Sequence, residues 1–139
     1  MEHRVLMLIF VLAAGILLLF MGKNKPEITV EDVLKVRHEG ERVEVFGIAK
    51  PYKLRCTQLA CMERPCCNSC GGGLSIADNR SQIQIIGTIE GKEAACKGDE
   101  CGQECWPLAM GKKYAVSGIL ERRGGELALR MESFREAGG

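Results

Sequence analysis

Aromatic residues are scarce in this chain: they make up 5% of it, with a single tryptophan. A surface that stacks nucleic-acid bases or grips sugar rings needs more of them. Histidine is scarcer still. His3 and His38 are the only two, and both lie away from the cysteines, so no imidazole stands ready as a general base beside them. A net charge of +1 with acids and bases intermixed removes the long-range field that would steer a domain to nucleic acid or anionic lipid. There is no G-x-S-x-G elbow, no phosphate-cradling loop and no carboxylate pair set apart from the scattered acids. These absences lead to the expectation that the protein is not an enzyme and has no catalytic residues. No internal repeat or low-complexity tract occurs.

Cysteine is what the chain has in quantity. Eight are present, Cys56, Cys61, Cys66, Cys67 and Cys70 in one cluster and Cys96, Cys101 and Cys105 in a second. Both clusters read as loops between strand-like stretches. An even number of thiols in so small a domain is typical of an oxidising compartment. All eight are therefore candidates for disulfides, each bridge contributing about 2–4 kcal/mol by restricting the unfolded chain. Eight cysteines allow 105 pairings in principle. Neighbouring side chains of an extended segment point in opposite directions, so Cys66 and Cys67 should take different partners, and at least one bridge should join the two clusters.

Other sulfur chemistries compete. Covalent haem fails at Gly71, which follows Cys67-Asn68-Ser69-Cys70 where an axial histidine would stand. Iron–sulfur spacings are not matched. Zinc is the serious alternative cofactor, held by Cys67, Cys70, Cys101 and Cys105 as a four-sulfur site. It would leave four cysteines without a role, so the expected reading has no metal and no cofactor. A redox dithiol at Cys67 and Cys70 would need a helix start or a nearby cation to activate it; Gly71-Gly72-Gly73 is a poor helix start, and the surroundings resemble no thioredoxin-like βαβ unit.

The N-terminal segment supplies the address. Val5 to Met21 is an unbroken apolar run; as a helix it would be about 26 Å long, near the lower limit for crossing a hydrocarbon core of about 30 Å. Leu19-Phe20-Met21-Gly22-Lys23 offers no small-x-small cleavage site. An uncleaved signal anchor fits better than a cleaved signal or a buried soluble helix. Arg4 on one side and Lys23 and Lys25 on the other leave the positive-inside rule near a tie, and the cysteines break it in favour of a domain outside the cytoplasm. The expected organisation is a transmembrane anchor over 1–22, a linker over 23–28 and a cysteine-rich domain over 29–139, in a single-pass protein of the cell membrane with its domain on the periplasmic side.

Within the domain, Thr29 reads as a helix N-cap with Asp32 closing a capping box, Val33, Leu34 and Val36 as the apolar positions, and Gly40 as the stop. Alternation then sets in. Strands are predicted from Val43 to Ala49, ending at Pro51; over Leu74–Ala77, behind a flexible lead-in of Gly71-Gly72-Gly73; over Gln82–Ile86, after a turn at Asp78–Ser81; from Lys112 to Arg122; and through Leu127, Leu129 and Met131 after a turn at Gly124-Gly125. The fold class is mainly β.

These runs resemble the OB-fold superfamily over residues 41–134. The resemblance rests on Val43-Glu44-Val45-Phe46-Gly47-Ile48, on Gly73-Leu74-Ser75-Ile76-Ala77-Asp78-Asn79 running into Gln82-Ile83-Gln84-Ile85, and on Gly111-Lys112-Lys113-Tyr114-Ala115-Val116-Ser117-Gly118. It implies a five-stranded barrel that binds on the face of its second and third strands. Cysteine-bearing insertions replace the loop after the first strand and the helix between the third and fourth. Leu74, Ile76, Ile83 and Ile85 would face inward, leaving Ser75, Ala77, Gln82 and Gln84 outside with Arg80 the only charge nearby. So neutral a face makes nucleic acid an improbable partner; a protein or small ligand of the cell envelope is expected instead. Trp106 is expected to pack on its own stapled loop, and Lys112-Lys113 and Arg122-Arg123 to be solvated strand ends.

Overall fold

The computed structural model describes residues 27–138; the expected anchor over 1–22 and most of the expected linker lie outside them. Among the described residues no helix is long and apolar enough to cross a membrane. The chain opens with helix α1 (Val30–Val36), capped as its sequence predicts: the Thr29 side chain accepts from the Asp32 backbone N–H, and the Asp32 carboxylate accepts from the Thr29 backbone. The helix stops at Val36, before Gly40. Val30 and Val33 are its buried residues, whereas Leu34 and Val36 are exposed, because a helix of two turns rests on the strands along a single narrow stripe.

Nine strands follow: β1 (Arg42–Cys56), β2 (Ser69–Ala77), β3 (Gln82–Ile86), β4 (Thr88–Ile89), β5 (Lys92–Glu93), β6 (Ala95–Asp99), β7 (Gly102–Trp106), β8 (Lys113–Arg123) and β9 (Glu126–Glu136). Five of them are bonded in a ring. β1 pairs with β2, β2 with β3, β3 with β9, β9 with β8, and β8 returns to β1; only β3–β9 is parallel. Leu74, Ile76, Ile83, Ile85, Val45, Val116, Leu120 and Leu129 are shut away from solvent and form one apolar cluster with Val30 and Val33 of α1.

The course of the strands departs from the sequence reading at β1, at β2 and between β3 and β8. The first strand does not stop at Pro51 but runs on to Cys56. The Ala49 N–H donates to the Lys112 carbonyl, and Pro51, two residues later, turns its nitrogen to the same side, past the end of β8, where no ladder bond is lost. The triple glycine is no flexible lead-in but lies within β2. A Cβ on Gly72 would stand 2.8 Å from the Tyr52 carbonyl oxygen and 2.9 Å from the Leu54 Cα, so β1 and β2 approach closely only because that side chain is missing. The connection from β3 to β8, expected as a loop, carries two hairpins. β4–β5 is a separate small pair, and β6–β7 extends the main sheet outward from β2.

Candidate functional site

The cysteines are distributed differently from their sequence reading. Four lie in strands rather than loops: Cys56 in β1, Cys70 in β2, Cys96 in β6 and Cys105 in β7. Cys56 is the ladder partner of Cys70, and Cys96 of Cys105. Each pair is bridged, with Cα atoms 4.0 Å apart, as direct antiparallel neighbours outside a hydrogen-bonded pair allow. The other four lie between these clamps. Cys61–Cys67 closes a short loop inside the β1–β2 connection, and Cys66–Cys101 ties that connection to the β6–β7 turn. The neighbours Cys66 and Cys67 thus take different partners, one of them across clusters, as expected. Cys66 has φ of 61°, a left-handed turn of the chain that separates the two bonds.

The alternative zinc set is not brought together. Cys67, Cys70, Cys101 and Cys105 belong to four different bridges, because the ladder assigns Cys70 and Cys105 to the cysteines directly opposite. The same geometry separates Cys67 from Cys70 as a dithiol.

Asn68, which the sequence reading passed over, organises the stapled loops. It is buried, its Oδ1 accepts from the Leu59 N–H at 2.6 Å and from the Thr57 hydroxyl at 3.1 Å, and its Nδ2 donates to Glu100 at 2.9 Å. The Glu100 N–H in turn donates to the Asn68 carbonyl at 3.1 Å. One amide therefore joins both insertions without using sulfur. The only signal in the sequence was an asparagine enclosed by cysteines, which has no spacing rule attached.

A cleft of about 500 Å³ lies on another part of the ring, lined by Leu34, Tyr52, Lys53, Gln82, Arg122, Glu126 and Leu127. The β1–β2 register shifts between Tyr52 and Arg55, and Lys53 has φ of 48°; this kink swings Tyr52 and Lys53 toward the start of β9. The Tyr52 hydroxyl donates to Glu126 Oε2 at 2.6 Å, and Lys53 Nζ donates to the same oxygen at 2.8 Å. Hydrogen bonding from Lys53, then from Tyr52, holds the Glu126 carboxyl below its ordinary range. The bond to Glu126 raises the Lys53 ammonium and the Tyr52 phenol above theirs. All three groups are thereby kept in their ordinary neutral-pH forms. Arg122 donates to the Gly125 carbonyl at 2.8 Å and approaches Glu39 at 3.7 Å. Tyr52 and Glu126 are 74 residues apart, too far for sequence pattern to connect.

The face expected to bind is only partly available. Ser75 and Ala77 are buried, not outside, and the Ser75 hydroxyl donates to the Lys50 carbonyl at 3.0 Å. Gln82 is exposed and borders the cleft. Arg80 sits in the β2–β3 turn, which Asp78 fastens by accepting from the N–H groups of Glu31, Arg80 and Ser81. Burial pushes the Asp78 carboxyl up, but these three bonds outweigh it and hold it below the ordinary value. Trp106 is half-buried in β7 beside Cys105, with Lys92 Nζ 4.9 Å from its ring centre. Its indole N–H is enclosed and has no hydrogen-bond partner among the described residues. Lys112, Lys113 and Arg122 each face an acid, Glu136, Glu27 and Glu39. His38 is exposed on the helix side, 3.9 Å from Glu41. No protein-family model, curated protein or solved structure matches the chain.

Proposed function

We propose that this chain is a non-enzymatic binding or assembly module of the OB-fold type, anchored in the cell membrane by residues 1–22 and facing the extracytoplasmic side. The observation that carries the barrel reading is the ring order β1–β2–β3–β9–β8 with a single parallel pairing between β3 and β9. A five-stranded Greek-key barrel needs its third and fifth strands side by side. Its usual ligand face lies on the second and third strands, between the first and last hairpin connections. The Tyr52–Lys53–Glu126 cleft occupies that setting, with Gln82 at the head of β3 and Glu126 beside the β8–β9 turn. Two cations, Lys53 and Arg122, against the one carboxylate of Glu126 in the lining favour a polar partner with an acidic group. A single aromatic side chain among the lining residues gives little support to base stacking. Four disulfides support the address, since such bridges persist in oxidising compartments.

The experiment is site-specific photo-crosslinking of the full chain in its native envelope, from a photoreactive residue at Gln82 and, as control, at Ser133. A discrete adduct from position 82 that is absent from position 133 is expected, and it should be lost with Tyr52→Ala or Lys53→Ala. Equal labelling from both positions, or none from 82, refutes a binding role for the cleft. A reporter fused after Gly139 that is active only in the cytoplasm refutes the address.

A further inference from the structure

Two sheet edges of the stapled extension are finished differently. Past the end of β8, the outer edge of β1 carries Pro51, a register shift between Tyr52 and Arg55, and Lys53 in a left-handed conformation. Proline, irregularity and lysine are common means of keeping a further strand off an edge. The other edge is β7, the last strand of the sheet, bonded only to β6 among the described residues. Its five residues, Gly102–Trp106, pair with β6 in unbroken register and include no proline, lysine or left-handed residue. Cys96 and Cys105 face each other with Cα atoms 4.0 Å apart, the close spacing of a pair that exchanges no hydrogen bonds. The ladder alternates, so Gln103 shares that setting, and the N–H and C=O groups of Gln103 and Cys105 point away from β6. The Gln103 side chain turns back to the Asp99 carbonyl, to which it donates at 2.6 Å, and the Cys96–Cys105 bridge holds the row in place.

We propose that the β7 edge accepts an added strand from a different protein, an extended segment with a basic residue across from Glu104 and an apolar residue across from Trp106. The outward groups of Gln103 and Cys105 identify the partner as extended backbone, because a strand presents donors and acceptors at the matching spacing. A second copy of this chain is opposed by charge. In the antiparallel two-fold arrangement Gln103 of each copy bonds Cys105 of the other, and Glu104 then stands directly against its own image, where like charges repel. Sliding the copies by two residues brings Pro107, which has no N–H, across from Gln103, or the turn residue Cys101 across from Cys105. Glu104 is exposed and takes part in none of the ion pairs found among the described residues, so its carboxylate is free for a cation on the incoming strand. Glu104 and Trp106 share the face opposite the Cys96–Cys105 bridge, beside a hollow of about 330 Å³ that Lys92, Lys97 and the indole also border. There the ring offers the apolar side chain a surface to lie on. The edge shares no residue with the Tyr52–Glu126 cleft, so either binding role can fail alone.

The test uses the full chain, labelled with nitrogen-15 in detergent micelles, and a capped six-residue peptide in which threonines surround one arginine and one leucine set two positions apart. Without peptide, amide exchange should be fast at Gln103 and Cys105 and slower at Glu104 and Trp106. With peptide at about ten times the Kd read from amide shifts, exchange at Gln103 and Cys105 should slow about tenfold, while Gln82 and Glu126 stay unchanged. Replacing the arginine by glutamate should weaken binding about threefold, and Glu104→Lys should reverse the order of the two peptides. Methylating the peptide nitrogens that face β7 should abolish the protection. Gln103→Pro removes an outward N–H and no bond to β6, so it should lose the peptide while the slow amides of the hairpin remain. The proposal is overturned if the peptide leaves Gln103 and Cys105 unchanged, or if the arginine and glutamate peptides bind alike. It is equally overturned if the chain alone dimerises with these two amides protected, since a second copy would then be the occupant.

Discussion

The five-strand ring and the stapled extension beside it hold themselves together by different means. In the ring, every strand contributes residues to a shared apolar cluster, and none of the strand positions facing it needs a crosslink. Between Leu54 and Gly73, and again from Lys97 to Pro107, Asn68 and Cys70 are the only buried residues. There the chain uses four disulfides and one buried amide. The contrast shows what burial can and cannot supply. Of the β6–β7 hairpin only Cys96 joins the apolar cluster, with Cys105 packed against it; so small an apolar face has little hydrophobic stabilisation to gain on docking, and its order must come from restricting the alternatives open to the unfolded chain.

This contrast can be broken most severely from the ring side. Leu129→Ala empties a fully buried site and should cost about 2–5 kcal/mol. A urea titration should report one cooperative loss of the whole domain with the bridges intact. If unfolding instead begins in the β6–β7 hairpin, the apolar cluster is not what holds the domain. From the other side, Cys66→Ser with Cys101→Ser should cost about 2–4 kcal/mol, expressed locally. Hydrogen exchange and proteolysis should accelerate in 57–68 and 99–104 while β3, β8 and β9 keep their protection. Uniform loss of protection would mean that the two regions are one cooperative unit.

Asn68→Ala sharpens the comparison further, because it separates the amide from the sulfurs. Leaving the Leu59 N–H and Glu100 without their partner should cost about 1–3 kcal/mol, again confined to the extension and visible in amide exchange. Asp78→Asn tests the join between α1 and the β2–β3 turn, at about 1–2 kcal/mol. The Asp78 carboxyl is held below its ordinary value of 3.8, so its contribution is complete above that pH and is lost as pH falls through the lower, folded-state value. The difference between the two proteins in thermal melting should therefore be full near neutrality and shrink in strong acid. The smallest effect is spectroscopic. Glu126→Gln removes the carboxylate that opposes ionisation of Tyr52, so the phenol should titrate closer to its ordinary value of 10.0 in ultraviolet difference spectra, with stability nearly unchanged. An unmoved titration would separate Tyr52 from Glu126 in solution.

Much of the ring was legible in the chain, because its physics is local and periodic. Gln82–Ile86 was bounded as found, the Thr29–Asp32 cap is an interaction across three residues, and Leu74, Ile76, Ile83 and Ile85 alternate as a half-buried strand must. The continuation of β1 through Pro51 was not legible, since proline disrupts a strand only where a neighbour awaits its N–H, and the end of β8 determines that. Ser75 and Ala77 were misassigned for a related reason: alternation specifies which residues share a face, not whether another part of the chain covers it.

The sites divide along the same line. A crowd of cysteines announced disulfides, and the adjacency of Cys66 and Cys67 required divergent partners, because the backbone sends successive side chains apart. Which sulfur meets which is another matter. Cys56 faces Cys70 and Cys96 faces Cys105 through ladder register, and register depends on where distant strands pair. The Tyr52–Lys53–Glu126 cluster is likewise a product of the kink in β1 and the return of β9. Composition and period by themselves determined the class of fold, its strand faces and the need for crosslinks; tertiary pairing alone decided the partners, because contacts between segments far apart in the chain leave no periodic trace within either one.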